Sequence, residues 1–400
     1  MFKHQNIKQI LSQLIEIKNK INLNDLTVGH LKPTASHSRA KTYNTVDFLW
    51  LNIVLCSMGI IHIREKINFL ELLQSSKNKK NLICFYSNIG IKNFSLTIPS
   101  IGFFCDYVSY FNEKELETLL NESLKLIKDL NVNKSQFNLV SIDGKDIRNC
   151  KKSNKVSINV VRNKILTHSF IVDHEMTWIK NNLLEFIENN NSKTDIFTGD
   201  SIYHNTRIRR FFSQNGYKAI LPMKNLTKLF KKRGNTVISL NSHKAIKSTT
   251  YNKRNKHVIE ENITLTSTKT KLYSEFNYWN YIIEIITKTN HIKTDKLTIK
   301  TRRFITNLDL PHNLEGLTNL RQLITNHWQV ETFHQYKDYN LLEDKYFKSR
   351  IKAGFKSIIA NFSYLLQQKC NINSKHKIKS FKNSLLLMIG LLFFFLAEQK

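Results

Sequence analysis

Three acidic residues stand where chemistry could be done: Asp143 in FNLVSIDGK, Asp200 in DIFTGDSIYHN and Glu331 in NHWQVETFHQYKDYNLLED. Asp143 and Asp200 each follow a short apolar run, and Glu331 lies in a stretch with helical spacing. Hard divalent cations take carboxylate oxygens as ligands. Two of them about 4 Å apart can activate an oxygen nucleophile, stabilise a leaving oxygen and neutralise a phosphate. The expected site holds two Mg²⁺ ions, or Mn²⁺, with Asp143 bridging both, Asp200 on one and Glu331 on the other. The three are far apart in the sequence, so only folding can gather them. A chain with 31 acids contains many such triples, and a plain turn cap before Gly144 stays open for Asp143. Asp338, Glu343 and Asp344 compete with Glu331 for the third position.

The elements that must position these acids change character along the chain. Residues 1–130 read as helical: QNIKQILSQLIEI and NEKELETLLNESLKLIKDL are amphipathic, and VDFLWLNIVLCSMGIIHI is nearly all apolar. Breaks are expected at SSKNKKN and at IPSIG. Over 131–234 the period shortens. FNLVSI is expected to be a strand ending at Asp143-Gly144, KVSINVV and ILTHSFIV a hairpin, HEMTWIKNNLLEFIENN a helix, and IFTG the strand that delivers Asp200. NTRIRRFFSQNG reads as a helix closed by Gly216, before a further strand, YKAILPM. Residues 235–307 are rich in Ile, Thr and Tyr at short spacing and suggest an antiparallel β insertion. Helical spacing returns over 308–375, in LTNLRQLITNHWQVETFHQYK and FKSRIKAGFKSIIANFSYLLQQ, and 376–400 form a basic and then hydrophobic tail. The fold class is α/β, with carboxylates at strand ends and a helical N-terminal domain.

Composition narrows the partners. The formal net charge is +30, from 61 Lys and Arg against 31 Asp and Glu, so the field of the chain attracts polyanions, nucleic acid foremost. Abundant Lys and Asn would also follow from an A- and T-rich genome. Five cysteines, Cys56, Cys84, Cys105, Cys150 and Cys370, are scattered without a CxxC pair, which points to a reducing, cytoplasmic setting and away from structural zinc. No secretory signal is evident at the N-terminus. The apolar run from Leu385 to Ala397 is shorter than the roughly 20 residues that spanning needs. A buried terminal helix is the first reading of it, a peripheral membrane contact the second and a mutated tail the third. Phosphate-loop, HExxH, GxSxG and GxGxxG signatures are absent, so nothing in the sequence supports ATP or nicotinamide use.

Several blocks together resemble the DDE-type transposases of bacterial insertion sequences, in particular the H-repeat-associated group. They are SIDGKDIR around Asp143, GDSIYHN around Asp200, the Lys224-Asn225 step, and HWQVE with His334 and Glu343-Asp344 following; IPS at Pro99-Ser100 resembles the end of the family's N-terminal region. The resemblance covers about residues 40–370. It differs where His334 is followed by Gln335-Tyr336, and where Val172-Asp173-His174-Glu175 retains only the acid of a lysine-serine-asparagine-glutamate step. It implies a ribonuclease H-like catalytic core interrupted by the β insertion, with Asp143, Asp200 and Glu331 as the metal-binding triad. The implied activity is cleavage and strand transfer at the element's ends, on transposon-end DNA and target DNA, by a homo-oligomer without an obligate protein partner. A nuclease without strand transfer and an inactive DNA-binding remnant are the alternatives.

Other residues are assigned from position. Lys145 is near enough to Asp143 to touch a phosphate, or is a solvent lysine. His204 is expected to face the Asp200 site from a following helix. His327 and His334 flank Glu331 on broadly one helix side, to orient it or touch the phosphate. Lys337, or Lys345, is expected to engage the transposon strand. Trp328 reads as packing rather than a base-stacking platform. Arg207, Arg209 and Arg210, with Lys224, Lys231, Lys232 and Arg233, are natural contacts to the DNA backbone, which position DNA without reading its sequence.

Overall fold

The computed structural model describes residues 4–21, 23, 45–74, 79–92, 98–107, 111–128, 138–147, 155–223, 242–252, 257–267, 279–291, 296–309, 314–341, 353–372, 376–383 and 385. Among these residues six helices come first: α1 (His4–Lys20), α2 (Thr45–Ser57), α3 (Ile63–Gln74), α4 (Lys80–Asn88), α5 (Ile101–Asp106) and α6 (Glu113–Lys128). Their ends follow local chemistry. Ser100 caps α5 by accepting from the Phe103 amide, at the expected IPS break. α3 ends at Gln74 and α4 begins at Lys80, and residues 75–78 of the other expected break lie outside the described residues.

A nine-stranded mixed sheet follows. Its strands are β1 (Leu139–Ile147), β2 (Lys155–Arg162), β3 (Ile165–Val172), β4 (Ile196–Gly199), β5 (Lys218–Met223), β6 (Ser242–Asn252), β7 (His257–Ser267), β8 (Tyr281–His291) and β9 (Lys296–Thr306). They lie in the order β3-β2-β1-β4-β5-β9-β8-β7-β6. β1, β4 and β5 run parallel, β2 and β3 are antiparallel on one side, and β6 to β9 form an antiparallel ladder. That ladder is not a detached unit: β9 pairs with β5 and extends the same sheet. β1 also differs from expectation. It does not end at Asp143 but runs on to Ile147, because β2 stays paired with it and Asp143 stands opposite Asn159.

Alternation along the strands sorts the two sheet faces. Val140, Ile142, Phe197, Ala219 and Leu221 pack against α7 (Glu175–Asn181), α8 (Leu183–Asn190) and α9 (Thr206–Gln214), chiefly through Trp178, Phe186, Ile208 and Phe212. The single helix expected over 174–190 is broken at Asn182. Leu139, Ile196 and Ile220 point the other way, against Leu317, Leu320 and Leu323 of α10 (Leu314–Asn326). Then come α11 (Gln329–Asn340) and α12 (Ala353–Lys369). A third core joins α1 to α6 with α11 and α12, and α12 lies against α2, so a boundary at residue 130 does not separate two cores. Burying so many side chains in three contiguous clusters is the main favourable term holding the layers together. No helix among the described residues is long and apolar enough to cross a membrane. Leu385 is buried, and the rest of the apolar tail lies outside the described residues.

Candidate active site

The parallel register of β1 and β4 builds the site. Ser141 pairs with Thr198, and their hydroxyls are joined by a hydrogen bond of 3.0 Å. Side chains two residues apart share a face, so Asp143 and Asp200 come next on that same face, just past the point where the pairing of β1 with β4 stops. This is the face covered by α10 and α11, which bring His327, Gln329, Glu331 and His334 to it. Gln329 donates to Ser141 Oγ at 2.8 Å, and His327 Nδ1 is 3.0 Å from Thr198 Oγ1. The Gln329 carboxamide oxygen also accepts from the Lys164 amide at 2.6 Å, which ties the start of α11 to the β2–β3 turn.

Electrostatics bind the acids into one field. The Asp143 carboxyl is pushed up to about 8, first by burial and then by the negative charges of Glu175, Asp200 and Glu331; the Gly144 amide opposes this only in part. Glu175 is the member of this group that sequence reasoning did not place in the site. It sits in the first turn of α7, on the opposite sheet face, and reaches Asp143's neighbourhood past Gly144, where a side chain would collide with its carboxylate. Burial raises its own pKa, against a hydrogen bond of 2.9 Å from the Tyr203 hydroxyl. The acid retained in Val172-Asp173-His174-Glu175 was the available signal. Among the described residues no three His, Cys, Asp or Glu side chains close on a common point at ligating distance. The donor set is nonetheless all hard oxygen, and a cation would relieve the repulsion that raises Asp143.

The remaining expectations divide. His334 stands at the site, with Nδ1 3.6 Å from Asp143 Oδ2. His327 does not share a helix side with it: residues 327 and 328 form the turn between α10 and α11. Burial lowers the His327 pKa to about 4, and Asp200 opposes the shift. Lys145 is neither a solvent lysine nor poised on open space, because it is ion-paired with Asp338. That pairing engages the competing acid on α11, while Glu343, Asp344 and Lys345 lie outside the described residues. Lys337 cannot meet DNA as expected: it is 0% exposed and donates to Ser357 Oγ and Asn361 Oδ1, both at 3.1 Å. His204 lies in the loop before α9, and the charge that it feels is the Arg209 guanidinium; burial, then Arg209, lower its pKa to about 4.

Trp328 does not pack inward. It is 49% exposed, with the Arg302 guanidinium 5.4 Å from its ring centre. Of the RIRR arginines, Arg207 and Arg210 are exposed, whereas Arg209 is buried and bonds to Thr206, as its place on the inner face of α9 requires. Lys224, Lys231, Lys232 and Arg233 fall outside the described residues.

Residues 135–366 match the family model described as the transposase DDE domain. A cryo-EM structure of the piggyBac transposase synaptic complex with hairpin DNA is similar over 95% of this chain and 77% of that chain, at 11% identity and a TM-score of 0.43. No curated protein matches the chain.

Proposed function

Because the chain belongs to the transposase DDE domain family, we propose that it cuts and joins DNA strands at the ends of an insertion sequence with Asp143, Asp200 and Glu331 as its catalytic acids. The observation that carries this reading is the register of Ser141 with Thr198, which carries Asp143 and Asp200 side by side just beyond the paired residues, with the helix bearing Glu331 packed over them. Strands β3-β2-β1-β4-β5, with the first two antiparallel and the others parallel, support a ribonuclease H-like core into which β6 to β9 are inserted.

The three carboxylates would hold Mg²⁺ or Mn²⁺, which when bound supplies activation of water or a 3′ hydroxyl and neutralises charge on the phosphate. The chain's own residues set the rest. Asp143 is fixed by strand pairing, Glu331 by α11, and Asp200 follows the last residue of β4 and caps the next turn by accepting from the Ser201 amide. His327 stays neutral, so it adds no cation beside Asp200. Arg207 and Arg210 lie on the exposed side of α9 and, in a chain of net charge +30, draw the DNA backbone to the surface. Transposon-end and target DNA are the partners in this reading, and working on two ends implies a homo-oligomer.

Incubation with Mg²⁺, DNA ending in the inverted repeats that flank the reading frame, and a target plasmid tests the proposal. Cut ends joined to the plasmid are expected. Cutting without joining would make the protein a nuclease, and DNA binding without metal-dependent cutting would make it an inactive remnant.

A further inference from the structure

We propose that Lys337, Asn361, Ser169, Asn159 and His334 form a one-way hydrogen-bond relay ending on Asp143, and that His334 is a positioning residue for that carboxylate. The relay rests on the proposed metal-site role of Asp143 and adds how the chain orients it.

The direction of every link follows from donor chemistry. An ammonium can only donate, so the atom of Asn361 that faces Lys337 Nζ at 3.1 Å must be Oδ1. Asn361 Nδ2 therefore donates to Ser169 Oγ at 2.7 Å, and the Ser169 proton goes to Asn159 Oδ1 at 3.0 Å. The orientation of Asn159 is fixed a second time from elsewhere: its Nδ2 donates to the Ser157 carbonyl at 2.9 Å, and a carbonyl can only accept. The two constraints agree. The second proton of Asn159 Nδ2 faces His334 Nε2 at 3.1 Å, so that nitrogen carries the lone pair and the ring proton is on Nδ1. Nδ1 is the atom 3.6 Å from Asp143 Oδ2, a separation that closes to a hydrogen bond with a small turn of either side chain.

Burial makes the arrangement exacting. Lys337, Asn361, Ser169 and Asn159 are fully buried and His334 nearly so. Hydrogen bonds aligned head to tail polarise one another, and a reversed link would leave two donors facing each other away from water. The relay leaves α11 at Lys337, crosses α12, β3 and β2, and returns to α11 at His334. It thereby locks the helix that carries Glu331 to the strand that carries Asp143.

Long-range proton–nitrogen NMR of the histidine-labelled full chain at neutral pH tests the relay directly. The expected result is protonated Nδ1 and unprotonated Nε2 at His334; the opposite tautomer, or a ring protonated on both nitrogens, overturns it. Mn²⁺ titration supplies the second arm. Asn159→Ala, which removes the donor that faces His334 Nε2, is expected to weaken Mn²⁺ binding about 10-fold and to mix the His334 tautomers. A wild-type tautomer and Mn²⁺ affinity in Asn159→Ala would overturn the positioning role. Absence of Mn²⁺ binding by the wild type would instead overturn the metal-site reading, leaving the NMR result to decide the relay.

Discussion

Gly144 lies beneath the carboxylate of Glu175: a Cβ built at residue 144 would stand 2.5 Å from Glu175 Cδ. The two come from opposite constraints. Gly144 follows Asp143 on β1 and so faces the α7–α9 side, while Glu175 enters from the first turn of α7 and is held by Tyr203. A missing side chain at 144 is what lets a fourth acid press on Asp143.

Gly144→Ala should move that acid rather than unfold the protein. The colliding group is the end of a flexible side chain that can swing aside, at the cost of its hydrogen bond from the buried Tyr203 hydroxyl, so the stability loss is expected to be about 1–3 kcal/mol. With Glu175 displaced, its contribution to the raised Asp143 pKa disappears. Carbon-13 titration of the carboxyl groups should show Asp143 ionising at lower pH in the variant. An unchanged titration would contradict the contact.

Asp143 also makes stability depend on pH. Its folded pKa of about 8 lies above the unfolded value of about 3.9, so between them the folded state keeps a proton that the unfolded state has released. The stabilisation is full below about pH 4 and is lost as pH rises through 8. Asp143→Asn, which cannot ionise, should therefore melt with the wild type near pH 4 and a few degrees above it at pH 8 without metal. Mg²⁺ should narrow the gap at pH 8. Thermal melts across that range check the sign.

The site depends on an ion pair at the far end of the same strands. Arg162 Nη1 meets Asp195 Oδ2 at 2.7 Å, and that oxygen also accepts from the Ser192 amide at 2.8 Å. The pair joins the end of β2 to the residue just before β4, the strand that leads into Asp200. Asp195→Ala leaves a largely buried guanidinium without this partner and is expected to cost about 3 kcal/mol or more, measured by urea unfolding.

Trp328 supplies a test of the proposed DNA contact. It stands exposed three residues before Glu331, so Trp328→Ala should leave thermal stability nearly unchanged. If its ring stacks on a base, single-stranded DNA binding should weaken by about 5- to 100-fold in the same variant. Fluorescence anisotropy on a labelled oligonucleotide measures it.

How much of this was legible in the sequence follows from what each signal encodes. Strands β2 to β5 and helices α1, α6 and α9 lie where periodicity and caps place them, because those patterns are local. That Asp143 and Asp200 follow apolar strand residues was legible for the same reason. Glu175 was not, since only the packing of α7 over Gly144 brings it to Asp143. The chain turn at residues 327 and 328 separated two histidines that an unbroken helix would have aligned. Lys337 looked like a surface lysine until α12, some 20 residues on, covered it with Ser357 and Asn361. Arg209 is buried through the amphipathic phase of α9, which the basic run RIRR conceals. In each case the missing information was which faces meet, and that is set by contacts remote in sequence.

The most direct test of the central claim is Mg²⁺-dependent cutting of DNA carrying the flanking inverted repeats, measured for the wild type and for Asp143→Ala, Asp200→Ala and Glu331→Ala, with melts confirming that each variant is folded. The account predicts cutting by the wild type alone, each variant falling to the metal-free background. Mg²⁺-dependent cutting retained by any one of the three folded variants would contradict it.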